Sequence, residues 1–152
     1  VGGKQPLDQQ PHRAAAGGRR CIRGQVGVQL GTGGFQLRAV VQHGAGLAAV
    51  QVGVLKRIFI VNVEDGYYEF INPVILSSDG SQLGAEGCLS VKGRYGEVER
   101  PSTVGIRALN REGKEFTLTA KDFFARAICH EYDHLDGILY IDKAIKMMEE
   151  KD

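Results

Sequence analysis

The chain has 152 residues, 43% of them apolar and 24% charged, with a formal net charge of +1. This is ordinary globular composition, enough for one domain with a core, and the balance argues neither for nor against a nucleic-acid partner. No run is long enough to span a membrane, and three cysteines, Cys21, Cys88 and Cys129, fit a reducing compartment rather than a disulfide framework.

The charge is unevenly spread. Residues 1–63 carry eight Lys/Arg against the single acid Asp8, whereas residues 64–152 carry eleven against seventeen. Residues 1–43, with nine glycines and five arginines, hold no sustained helical or strand period. Weak alternation appears at 26–30, and a short strand or helix at 36–41. Gly31-Thr32-Gly33-Gly34 lacks the flanking strand and helix of a phosphate loop and reads as a flexible link. The segment is expected to be poorly ordered, because ordering glycine is entropically costly and no apolar face offsets it. Its Arg-rich, acid-poor composition also suits an organelle transit peptide, which the glycines and the missing amphipathic period count against. A third reading makes it foreign to the domain behind it, as a shifted reading frame would.

From Gly44 the pattern sharpens. Gly44-Ala45-Gly46-Leu47-Ala48-Ala49-Val50-Gln51 is rich in small residues, with a strand expected just after Gln51. Residues 57–63 read as a strong strand and Glu64-Asp65-Gly66 as a turn. Residues 67–76 read as a second strand interrupted at Asn72-Pro73, followed by a turn at 77–80. Gly84-Ala85-Glu86-Gly87-Cys88-Leu89-Ser90 reads as a loop. Strands are expected at 102–110 and 115–120, joined at Glu112-Gly113. A helix follows from about 121 to 135, ending before the cap glycine Gly137. A short strand at 138–141 and a helix capped by Asp142 and running to about 149 complete the chain. Strands followed by a buried helix make an α+β domain.

The helix carries the chemistry. His130-Glu131-Tyr132-Asp133-His134 places two imidazoles one turn apart on one face, on a stripe with Phe123 and Ala127. Two such rings can bind one metal ion. Glu131, about 100° around the helix, lies beside the metal, where a general base for a water activated by it belongs. The bland alternative is two hydrogen-bonded core histidines and a solvated glutamate. Cys88, in its glycine-flanked loop, is either a small buried hydrophobe or a third ligand. One Cys and two His would leave a fourth position open, as in a catalytic site.

Taken in order, the motifs Gly44 to Gln51, Glu86-Gly87-Cys88-Leu89-Ser90 and His130 to His134 resemble those of peptide deformylases, over about residues 43–145. The resemblance implies an α+β fold with antiparallel sheets around a central HExxH helix. It implies a metal-dependent hydrolase that removes the formyl group from the N-terminal formyl-methionine of newly made polypeptides. Ferrous iron would be the usual metal, with zinc, nickel or cobalt also accepted. Cys88, His130 and His134 would be the ligands and Glu131 the acid/base. Gln51 and the Leu89 N–H would stabilise the oxyanion, and Gly46 would hold the substrate backbone. Phe123 and Ala127 would wall the methionine pocket, and Glu86 would pair with Arg100. The partners would be formyl-methionyl nascent chains at the ribosome, with no nucleic-acid or membrane site, in a bacterial cytoplasm or an organelle. Residues 44–152 would form the catalytic domain. Val50, Ala45 and Lys92 depart from residues common in the family, and residues 1–43 show none of its acidic N-terminal helix. An HExxH protease, or a metal-binding domain made inactive by its N-terminus, are the competing readings. Protease families usually take their third ligand from beyond the helix.

Overall fold

The computed structural model describes residues 29–31, 34–36, 45–64 and 66–149. The readings of disorder, transit peptide or unrelated residues for 1–43 lie outside these, apart from a small hairpin of β1 (Gln29–Gly31) and β2 (Gly34–Gln36).

The rest is two antiparallel sheets and one helix. The larger sheet runs in the order β3 (Gly46–Ala48), β4 (Ile58–Val63), β5 (Gly66–Asp79), β8 (Thr103–Leu109), β9 (Glu115–Lys121). The smaller pairs β6 (Gln82–Cys88) and β10 (Lys146–Glu149) with opposite edges of β7 (Val91–Arg100). Helix α1 (Asp122–Leu135) packs on the larger sheet. Period-two alternation sends Phe59 and Val61 of β4 into one core with Phe70, Ile106 and the helix residues Ala125 and Ile128. Ile60 points the other way, into a second cluster with Leu47 and Ala49. Phe59 and Phe70 are paired in register and stack with centroids 4.8 Å apart.

Strand β9 turns into α1 without a loop. Asp122 takes φ 52°, and its N–H donates to the Ser102 carbonyl while its own carbonyl accepts from Gln82 Nε2 at 2.7 Å. The helix ends as expected: Gly137, at φ 75°, donates its N–H to the His134 carbonyl.

Several boundaries differ from the expectation. Gln51 lies inside a 3-10 turn, Ala49–Val52, preceded by strand β3 rather than followed immediately by one. Asn72-Pro73 does not interrupt β5. The strand passes through with a register shift, Asn72 at φ 48°, and continues to Asp79, so the turn falls at Gly80. The segment read as the loop 84–90 is mostly β6. The segment 138–141 is no strand: Tyr140–Asp142 form a 3-10 turn, with the Asp142 carboxylate accepting from the Leu139 N–H and Tyr140 buried, its hydroxyl donating to the Arg94 carbonyl. The last helix is replaced by β10, because β7 offers an unpaired edge and Gly96 leaves room there for Ala144 and Met147.

Candidate active site

Two hydrogen-bonded layers bring the motif residues together. Helix α1 supplies His130, Glu131 and His134, and the end of β6 supplies Cys88. The Cys88 Sγ lies 3.3 Å from His134 Nε2, which lies 3.3 Å from His130 Nε2. The three donor atoms fall within 4.8 Å of one another, and among the described residues they are the one such group of Cys, His and acidic side chains. His130 presents Nε2 because Nδ1 is engaged, 2.8 Å from Glu86 Oε2. A carboxylate behind a ligating imidazole fixes both ring orientation and tautomer.

Glu86 is itself held. Arg100 donates to both of its oxygens, at 2.9 and 3.0 Å, and Arg126 donates to Oε1 at 2.8 Å. Arg100 also reaches Asp133 at 2.6 Å, and Lys143 closes on Asp133 from the far side. Arg126 further donates to the carbonyls of Gln82, Gly84 and Val98. Of these contacts only the Glu86–Arg100 pair was anticipated. Arg126 left a signal, a lone cation in the apolar run 123–129 and one turn before His130.

The electrostatics follow. Burial alone would raise the Cys88 thiol, but His130 and His134 outweigh it and bring the pKa down to about 5. Burial would likewise lower His130, yet Cys88 and Glu86 push it up to about 10. The two shifts share one cause, the Cys88–His130 contact, which favours a thiolate beside a protonated imidazole, and a divalent ion would take the place of that proton. Burial pushes Glu131 the other way, up to about 7, against the pull of the two histidines. Its Oε2 is buried with no hydrogen-bond partner in the chain. An orphaned carboxylate oxygen beside a thiolate and two imidazoles fits a site built around a cation and a water.

Beside this centre opens a cleft of about 450 Å³, walled in part by Gly46, Gln51, Leu89, Tyr95, Phe123 and Ala127. Phe123 is 60% exposed at its mouth, whereas Ala127 lies deep. Gly46 sits on the edge strand β3, so its second side is open to the cleft. Gln51 projects its Nε2 to 3.5 Å from Cys88 Sγ.

The family model described as polypeptide deformylase matches residues 36–150. The chain is 52% identical over 109 residues to the peptide deformylase of Thermoanaerobacter pseudethanolicus, covering 72% of this chain and 69% of that one. It is 54% identical over 108 residues to that of Acetivibrio thermocellus, covering 71% and 64%. It thus spans about two thirds of the length of these relatives. Among solved structures, the Thermotoga maritima peptide deformylase superposes with a TM-score of 0.67 at 37% identity, covering 69% of this chain and 72% of that one. The Synechococcus elongatus peptide deformylase, in complex with actinonin, gives 0.64 at 38% identity, covering 66% and 58%.

Proposed function

The chain belongs to the polypeptide deformylase family, and from that premise we propose that it hydrolyses the formamide of N-formyl-methionyl polypeptides, releasing formate. The observation that supports this best is the meeting of Cys88, His130 and His134 beside the unpartnered carboxylate oxygen of Glu131. Cys88, His130 and His134 would hold a divalent ion, one soft thiolate and two imidazoles being donors that suit one. Ferrous iron is our assignment, with zinc, nickel or cobalt as ions that the same donors accept. When bound, such an ion would supply Lewis acidity and lower the pKa of the attacking water.

The chain's own groups do the rest. Glu131, whose Oε2 is buried without a hydrogen-bond partner among the described residues, takes the proton from the attacking water and returns it to the leaving amine. Negative charge grows on the former carbonyl oxygen, and the Gln51 amide and the Leu89 N–H are the donors fixed to meet it. The open edge at Gly46 receives the peptide backbone as an added strand, and the methionine side chain enters between Phe123 and Ala127. Glu86 keeps His130 aimed at the ion. Residues 44–152 form the catalytic unit, acting on nascent chains at the ribosome, in a bacterial cytoplasm or an organelle. Among the described residues no helix is long and apolar enough to cross a membrane.

The test is formate release by the full chain, loaded with ferrous iron without oxygen, from formyl-methionyl and free methionyl tripeptides. Formate from the first, with neither peptide cleaved internally, is the expected result. Internal cleavage would instead support a protease, and binding of the metal without turnover would support a non-catalytic domain.

A further inference from the structure

Gln51 is gripped at both ends of its side-chain amide. The Ala48 N–H donates to Oε1 at 2.9 Å, closing the 3-10 turn on itself. That bond settles which end of the amide is oxygen, so Nε2 faces the turn between β6 and β7. There Nε2 donates to Ser90 Oγ at 3.1 Å and turns toward Cys88 Sγ at 3.5 Å. Ser90 is anchored in turn, its own N–H pointing at the same sulfur from 3.5 Å. Two turns separated by 39 residues thus meet through one side-chain pair.

We propose that Ser90 is a positioning residue: its hydroxyl oxygen accepts one Gln51 N–H and so aims the other at the reacting centre. The reason is geometric. The Ala48 bond holds only the oxygen, and an amide held at one atom still swings about χ2 and χ3. A second fixed point on the nitrogen removes that freedom. A donor contributes to transition-state stabilisation when its orientation is set before charge develops. The Ser90 hydroxyl meets the Gln51 amide, and the proposed role runs through that contact. The proposal rests on the oxyanion role given to Gln51 above.

The test is a double-mutant cycle on the full, metal-loaded chain, with a spectroscopic arm. Ser90→Ala should lower kcat about tenfold, the worth of one hydrogen bond, with KM within about twofold and metal content unchanged. Ser90→Thr, which keeps the hydroxyl acceptor, should restore most of the rate. In a Gln51→Leu background Ser90→Ala should cost nothing further, because the group it orients is gone. In the zinc-loaded protein the Gln51 side-chain NH2 signals, identified by their loss in Gln51→Leu, should be slow to exchange and should become fast in Ser90→Ala. An equal, additive loss in both backgrounds, or amide exchange unchanged by Ser90→Ala, would overturn the positioning role. A fully active Gln51→Leu would overturn it together with the oxyanion role. A wild-type chain without turnover would fail the functional reading alone, the exchange arm still deciding on the clamp.

Discussion

A methyl group placed on Gly46 would lie 2.7 Å from both Cγ and Oε1 of Glu131. The strand that borders the cleft and the carboxylate assigned to proton transfer are therefore packed against each other without room for a side chain between them. The same methyl would also meet the Ile60 carbonyl at 2.8 Å, a backbone atom of the neighbouring strand that cannot yield cheaply.

Gly46→Ala should accordingly displace Glu131 or β3. Overpacking of this kind costs about 1–3 kcal/mol. Thermal unfolding should move to lower temperature, and kcat should fall at least about tenfold, with the metal retained. A variant with native melting and turnover would show that the contact relaxes freely.

Glu131→Gln should keep the metal and lose about 10² to 10⁴ in kcat, the usual worth of a positioned proton carrier. His130→Ala should lose the metal instead. Metal analysis of the two purified variants separates the roles, and equal metal loss in both would make Glu131 a ligand.

Gln51→Leu should cost about 10² to 10³ in kcat, as removal of a preorganised donor does elsewhere, and leave KM nearly unchanged. A rise in KM at constant kcat would restrict Gln51 to ground-state binding.

Glu86 makes stability depend on acid. Burial opposes its charge, but His130 and Arg100 outweigh burial and hold its pKa at about 2, below the ordinary 4.5. A depressed carboxylate stabilises the fold fully above the ordinary value and loses that contribution as pH falls toward the folded one. The metal-free chain should thus lose about 3 kcal/mol between pH 4.5 and 2 through this group. Urea unfolding of Glu86→Gln across the same range should show a flatter slope, and parallel curves for the two proteins would refute the assignment.

What could be read from residues alone was what local chemistry decides. The helix around His130 repeats apolar residues at helical spacing and stops at a glycine. Strands β4, β8 and β9 are rich in β-branched and apolar residues. The hairpin of β6 and β7 was hidden because its inward positions hold Glu86 and Arg100, so the usual alternation is inverted: charges are buried while Leu83 is 58% exposed. The helix expected after Asp142 rests on that residue as an N-cap, whereas the Asp142 carboxylate closes the 3-10 turn on the Leu139 N–H and the chain beyond it is β10. Pairing with the free edge of β7 decides the segment. The meeting of Cys88 with the two histidines depends on that same hairpin; the residues alone leave Cys88 an open choice between ligand and buried thiol, and only the resemblance makes it a ligand.

The linked set of Glu86, Arg100, Arg126, Asp133 and Lys143 constrains how this protein can change by descent. Glu86, Arg100 and Arg126 each keep under a tenth of their side-chain surface exposed, and each charge answers another. Losing Glu86 leaves the buried guanidinium of Arg126 without its only ion-pair partner among the described residues and Arg100 without one of two, and breaking a buried pair costs about 3–5 kcal/mol, close to the whole stability of a marginal domain. Single substitutions at Glu86 or Arg100 should therefore be tolerated less well than paired ones that remove or exchange both charges together.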